Sequence, residues 1–577
     1  MTPVRPNSCQ RTWTARRPPA RADWAGVPPE WLWEFSPAAS SASSERPASA
    51  SFLVPAHTPT SSARLFADPT CSRTYWVISV SFIPVYSRML EEGREEEAGR
   101  FAGAVFGLLL ALAAALALTG ILLAKPIVAL LAPGFLSDAA QVAAGTADVD
   151  RYPLAVTAVR FIFPMTGLLV LSAWAMGVLN SHRRFFLPYF APVLWNAAII
   201  AALWLVGGQW WEQFRGGGAQ ISHSALDRIL IAACAGALVG GLLQFAVQIP
   251  LVLAVLKGFR PSLSTRVPGV RAALRAFTPL AAGRGVVQLS SYLDIVLASL
   301  LVAGAPAALG YAQTLYILPV SLFGMSVAAA ELPELSRRSG PGEGTELPPR
   351  VDAGLRQTAF LTLPTFLGYL LFGFLLVAFL YRRGSFQEVD NWLVYLVLCG
   401  YTLGLPATNA SRQLNNVFYS LGKTGIPARI AVARVSLSVG LGIPLMLWLD
   451  RFSVAQVVGL GPTERQLYLG ALGLALGAGV ASWFELWRLG RALRTEVPGL
   501  ELPWRRFGRL FFAAVVAAVP AFVLWRLFPP LLRMPRGLVW VLEAVVVLTV
   551  YGTGYLAVTK KLGISELDRW LGRISRK

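Results

Sequence analysis

Four polar residues share one long apolar run: Arg284, Gln288, Ser291 and Asp294 sit within 276–303, a stretch otherwise dominated by small and aliphatic side chains. On a helix, Arg284, Gln288 and Ser291 fall on one face with Asp294 about 80° round from it, so one hydrated wall can carry all four. A charge at mid-bilayer is costly unless it is paired or wetted, which makes such a group a binding site by default and an internal Arg–Asp pair otherwise. Arg412 forms a second group with Asn409, Asn415 and Asn416, for which cavity lining and helix fastening are equally open. Arg160, nearly one turn inside its helix, reads as a snorkelling side chain, and Glu331 and Glu334 with Arg337 and Arg338 read as a charge cluster ending a helix at Pro333.

Other chemistry is missing from the chain. It contains no GxxxxGK[ST], no HExxH and no GxSxG in a strand-turn-helix setting. Cys9, Cys71, Cys234 and Cys399 have no metal-ligand or CxxC spacing, and there are three histidines. No cofactor, metal or catalytic residue is expected, and transport would draw its energy from gradients or the membrane potential.

The elements that must hold these residues are membrane helices. The 577 residues are 55% apolar and 14% charged, too little polar surface to coat a soluble body of this size. Hydrophobic segments lie near 75–90, 98–124, 157–180, 187–207, 229–256, 276–303, 306–330, 357–381, 391–418, 426–449, 466–487, 510–528 and 537–559, thirteen in all. Because only helices and closed barrels satisfy the backbone in lipid, and these runs lack barrel alternation, an all-α polytopic membrane protein follows. Alternating the loops with the carboxyl end inside places 28 Lys and Arg on the inner side against 11 on the outer. The net charge of +20 therefore reports topology rather than a nucleic-acid partner. Gly236, Gly240, Gly473 and Gly477 have the spacing that lets helices approach closely, and Pro164, Pro250, Pro319, Pro364, Pro406 and Pro444 should bend their helices. Residues 1–74 are rich in Pro, Ser and Arg and lack apolar periodicity, which suggests a disordered or non-native extension.

Several strings resemble the MurJ/MviN family of lipid II flippases, in family order. They are SFIPVYSRMLEEGREEEAGR (81–100), LLAPGF (130–135), MGVLNSHRRFFLPYFAPVLWN (176–196), LPVSLFGMSVAAAELPELSR (318–337), YRRGSF (381–386) and GLPATNASRQLNNVFYSLGKTGIPARIAV (404–432). The resemblance covers about 78–560. It implies a MATE-like bundle of fourteen helices, two six-helix lobes about a central cavity plus two further helices. It also implies a polyprenyl-diphosphate-linked saccharide, lipid II, as cargo, moved from the inner to the outer leaflet of the bacterial cytoplasmic membrane.

Thirteen segments match that plan with the first helix absent, and a frameshift or misplaced start upstream of Ser81 is the expected origin of the unmatched residues. The organisation expected is 1–74 as an extension, 75–256 as the first lobe, 257–449 as the second, and 450–577 as two extra helices and a cytoplasmic tail. Where the family commonly reads YADRL with a cavity arginine, this chain has Thr314, and Arg284 one helix earlier is expected to supply the cation instead. Guanidinium forks match phosphate oxygens, so Arg284, Gln288, Ser291, Asp294, Arg412 and Asn416 are the expected substrate contacts. The expected partners are lipid II, membrane lipids and other cell-wall synthesis proteins. A MATE-type antiporter exporting cations and an inactive homologue are the alternatives, the first favoured by an acidic cavity.

Overall fold

The computed structural model describes residues 82–567 except 146–149, 209–222, 276, 278–291, 303, 322–346, 383–385, 422, 424, 462–464, 498–503, 532–535 and 565. Arg284, Gln288, Ser291 and the extension 1–74 lie outside the described residues. The described helices are α1 Ile83–Glu91, α2 Glu95–Leu122, α3 Ala124–Leu131, α4 Asp138–Ala143, α5 Tyr152–Ser181, α6 Phe186–Gly207, α7 His223–Ala246, α8 Ile249–Val255, α9 Ala305–Pro319, α10 Leu347–Tyr381, α11 Glu388–Leu403, α12 Leu405–Ser420, α13 Gly425–Leu449, α14 Gly470–Glu496, α15 Trp504–Leu531 and α16 Arg536–Lys561. A short helix, Val454–Val458, also lies between α13 and α14. All fall in one compact unit, Ser49–Lys577.

Among the described residues helix is the only extended secondary structure, as the unbroken apolar runs require, beside one isolated bridge between Ser453 and Tyr468. Among the described residues nine helices are long and apolar enough to cross a membrane, or eleven if each of two bent pairs is one span. One of those pairs, α11 with α12, bends by 41° across Gly404 and corresponds to the expected segment 391–418. The other, α3 with the turn and α4 after it, bends by 105° and has no expected segment beneath it. Thirteen spans are not reached, in part because much of 276–303 and 306–330 is outside the described residues and 75–90 contributes only the nine-residue α1.

Helix packing separates into two sets. The helices α1 to α8 pack on one another, with α5 as the hub, and α9 to α16 pack on one another; among the described residues no labelled helix of one set packs extensively against a helix of the other. Glycines set the closest approaches. In the first set Gly236 and Gly240 of α7 lie against the backbone of α6 at Ala198 and Trp195, and the Trp195 indole donates to the Ala237 carbonyl at 3.0 Å. In the second, Gly473 and Gly477 of α14 abut α13, and Gly479 abuts Gly400 and Gly404 of the α11–α12 junction. A side chain at any of these would have to enter a neighbouring backbone, which is the structural reading of the GxxxG spacing.

A third glycine row, Gly99, Gly103 and Gly107 of α2, seats a loop rather than a helix. The backbone of Lys257, Arg260 and Ser262 runs along it, and the Ser262 amide donates to the Gly103 carbonyl at 3.3 Å. Val270 and Ala273 then bury into the first set, so the described stretch 257–273 is held against the first set.

Candidate functional site

Five helices of the second set and the helical segment 292–298 converge polar side chains on a pair of tyrosines. Tyr316 of α9 donates its hydroxyl to Thr408 Oγ1 of α12 at 2.9 Å, and Gln313, one turn earlier, donates Nε2 to the Tyr401 hydroxyl of α11 at 2.9 Å. The two rings lie 5.6 Å apart. Asp294 is within electrostatic reach of Tyr401 and of Arg434 on α13, and Arg434 pairs with Glu485 on α14 at 3.4 Å. Arg412 and Arg434 both act on Tyr316. The result is one nest containing two arginines and two carboxylates, close to internal neutrality.

That balance has a physical reason. Each charge would be costly alone in hydrocarbon, and placing opposite charges on separate helices compensates them while fixing how the helices sit. Asp294 and Arg412 are both half-buried. Asn416 is half-buried one turn beyond Arg412 on the same face of α12. The structure thus brings Asp294 and Arg412 around one tyrosine pair; Arg284, Gln288 and Ser291 belong to the undescribed part of the preceding segment.

Asn409 has a different task. It is buried and donates Nδ2 to Thr362 Oγ1 at 3.0 Å, while Gln413 donates Nε2 to Thr358 Oγ1 at 3.0 Å, an amide-to-hydroxyl ladder fastening α12 to α10. Of the two readings open for the polar residues around Arg412, fastening holds for Asn409. Thr314, at the position where an arginine is common, donates its own hydroxyl back to the Gly310 carbonyl at 2.8 Å and stands on the exposed stripe of α9. Its hydroxyl is spent inside the helix and replaces no guanidinium.

Glu485 was not among the expected site residues. It is the only acid in the segment 466–487, and by the cost argument applied to Arg284 it should have been paired with an intramembrane cation such as Arg434. The buried triad of Ser172, Gln244 and Gln248 in the first set was also missed; both glutamines donate to Ser172 Oγ, at 3.0 and 2.8 Å. Gln244 and Gln248 are spaced i, i+4, the local signal that could have marked one polar face. Among the described residues no group of His, Cys, Asp and Glu is arranged to hold a metal ion.

The family model for lipid II flippase MurJ matches residues 44–529, starting upstream of the motifs quoted above. The chain belongs to the lipid II flippase MurJ family. It is 29% identical over 445 residues to the lipid II flippase MurJ of Burkholderia cenocepacia, covering 76% of this chain and 77% of that one. To the probable lipid II flippase MurJ of Vibrio cholerae it is 24% identical over 510 residues, 88% of each chain. Among solved structures it is similar to lipid II flippase MurJ in an inward closed conformation, with TM-score 0.64 and 18% identity over 89% of this chain and 96% of that one. An inward-facing MATE multidrug transporter of the MOP superfamily is similar at TM-score 0.53 and 14% identity, over 78% and 94%. These structural likenesses establish the MATE-like helical fold of the MurJ family, which the paired helix sets display.

Proposed function

We propose that this chain is a flippase that carries lipid II from the inner to the outer leaflet of the bacterial cytoplasmic membrane, and is a transporter rather than an enzyme. The observation that carries this reading is the family match across 44–529, which takes in the first helix set and the second as far as α15. The sugar-diphosphate head would occupy the hydrated space between the first lobe, 75–256, and the second, 257–449, while the polyprenyl tail stays in lipid; 450–577 holds α14, which packs on the second lobe, and adds α15, α16 and the tail on the inner side. The diphosphate would be met by Arg284 and Arg412, with Gln288, Ser291, Asp294 and Asn416 completing the polar wall. Other cell-wall synthesis proteins are the proposed protein partners.

The charge of the described nest speaks against the antiporter alternative. A cation exporter needs uncompensated carboxylates facing its cargo, whereas Glu485 is paired with Arg434 and Asp294 lies within that guanidinium's reach.

The test is complementation of a flippase-depleted strain by the full chain. Arg284→Ala should abolish growth with membrane abundance unchanged, and Arg284→Lys should rescue only partly because a point charge lacks the guanidinium fork. Full complementation by Arg284→Ala would remove that residue from the mechanism, and failure of the parent chain itself, at normal abundance, would refute the flippase reading.

A further inference from the structure

Basic residues near the start of α2 and in the loop after α8 fall into two kinds. Arg94, Arg100 and Lys257 are answered by acids at the start of α2: Arg94 by Glu92 at 2.8 Å and by Glu97, Arg100 by Glu96 at 3.5 Å, and Lys257 by Glu95. Further along the loop no acid is available, since the sequence from Gly258 to Leu293 contains none. Arg260, Arg266 and Arg271 are exposed there, and among the described residues none of them forms an ion pair.

These arginines project from a fixed backbone. A Cβ on Gly99 would stand 1.8 Å from the Lys257 carbonyl oxygen, one on Gly103 2.3 Å from that of Arg260, and one on Gly107 2.3 Å from that of Ser262. The loop therefore climbs about 12 Å along α2, at 1.5 Å per residue. The charges of α2 end at Arg100 and its apolar run opens at Phe101, so the climb carries the loop to the edge of the hydrocarbon. Leu263, at its top, is 64% exposed. The chain then turns back, with the Ser264 hydroxyl accepting the Arg266 amide at 3.2 Å, and Gly269, at φ +88°, packs against Val85, Met89 and Phe101. Thr265, Arg266, Gly269 and Arg271 line a cleft of about 240 Å³ on this turn.

Sidedness alone accounts for basic charge on the inner face. It does not account for guanidinium groups left unopposed beside a cleft, on a pinned backbone, at the depth where lipid phosphates lie. Guanidinium forks match phosphate oxygens, and a preformed cleft lowers the cost of ordering the loop around a ligand. We propose that the loop 257–275 is a binding site for an acidic phospholipid of the leaflet it faces, the inner one under the proposed topology. Arg260, Arg266 and Arg271 hold the phosphate, and Leu263 lies among the acyl chains. The site is separate from the proposed cargo wall, and its test does not depend on the flippase reading.

The full chain in detergent is titrated with phosphatidylglycerol and separately with phosphatidylcholine, and bound lipids are counted by native mass spectrometry. The parent should bind its first phosphatidylglycerol at least about tenfold more tightly than phosphatidylcholine. Arg266→Gln should weaken phosphatidylglycerol about fivefold, the factor that about 1 kcal/mol per basic residue near an anionic surface gives, and leave phosphatidylcholine within about twofold. Combining it with Arg260→Gln and Arg271→Gln should erase the preference, whereas Arg100→Gln, whose charge Glu96 already answers, should keep it. Folding is checked by the thermal transition; if the triple variant does not fold, Arg266→Gln decides. Equal affinity for the two lipids in the parent, an undiminished preference in the folded variants, or an equal loss in Arg100→Gln would overturn the site. Displacement of the bound phosphatidylglycerol by equimolar inorganic phosphate would assign the arginines to a soluble anion and reject the lipid. In phosphatidylglycerol vesicles, with the four native cysteines replaced, a nitrobenzoxadiazole probe on Leu263→Cys should emit as in hydrocarbon; emission as in water would place the loop off the membrane and overturn the proposal.

Discussion

Tyr86 of α1 and His182, just past the end of α5, meet within the first set: the hydroxyl and Nε2 are 2.8 Å apart across 96 residues of sequence. Glu95 and Arg184 act on the imidazole from opposite sides in charge, and Lys257, whose own pKa is raised by its bond to Glu95, stands next to that carboxylate. Burial pushes the imidazole pKa below its usual value, with Glu95 opposing and Arg184 reinforcing. A histidine whose folded pKa is lowered favours folding while neutral. Its contribution is therefore whole above the unfolded value of about 6.5 and is lost as pH falls below that. Between pH 7.5 and 5.5 the parent should lose stability, whereas His182→Gln, which keeps a hydrogen-bonding amide but cannot titrate, should change less over that window. Thermal unfolding of both proteins across the range checks it; parallel curves would mean that His182 is not the titrating group. Both residues stood in strings quoted from the sequence, yet nothing local announced their pairing.

Helix α10 shows the same limit at the scale of elements. Pro364 has no N–H to give the Phe360 carbonyl, and that carbonyl is instead taken by the Tyr555 hydroxyl of α16 at 2.8 Å; one turn on, Tyr551 donates to the Pro364 carbonyl at 2.7 Å. Two tyrosines at i, i+4 thus dock the last helix onto two carbonyls at i, i+4, on the side of α10 opposite the Thr358 and Thr362 ladder to α12. Tyr555→Phe should cost about 1–3 kcal/mol by stranding a buried carbonyl. In a Pro364→Ala background the helix itself can satisfy Phe360, so the same change should cost less than half as much. A double-mutant cycle by thermal unfolding decides, and equal costs in both backgrounds would show that the proline is not what makes Tyr555 necessary. The prolines and the glycine pairs were legible because their meaning lies in a single residue type and a short spacing. What Pro364 exposes its carbonyl to and what Arg434 pairs with were not, since each partner comes from a distant segment and only the packing of whole helices selects it.

For the whole molecule, hydropathy and charge together determine the fold class but count spans poorly, because length and apolarity do not reveal a bend. The α11–α12 pair was expected as one run, 391–418, and turns by 41° at Gly404; the α3–α4 region, which lies between two spans, turns by 105° and brings the Gly134 amide to Ser299. Sidedness rests on a different physics, the reluctance of Lys and Arg to be translocated. The loop 257–275 is the strongest case, since Arg260, Arg266, Arg271 and Arg275 are all exposed along it and its backbone is held down on the glycine row of α2. It therefore keeps its charge on one face of the membrane in every state that preserves that contact. Cysteines at Ser264 and at Arg491, in 257–275 and 488–509, should be shielded from an impermeant maleimide added to intact cells, and should react at least tenfold faster once the membrane is opened. Cysteines at Ala144, at Arg451 and within 208–224 should react equally in both conditions. The inverse pattern would place the carboxyl end outside, and with it reverse the proposed direction of transport.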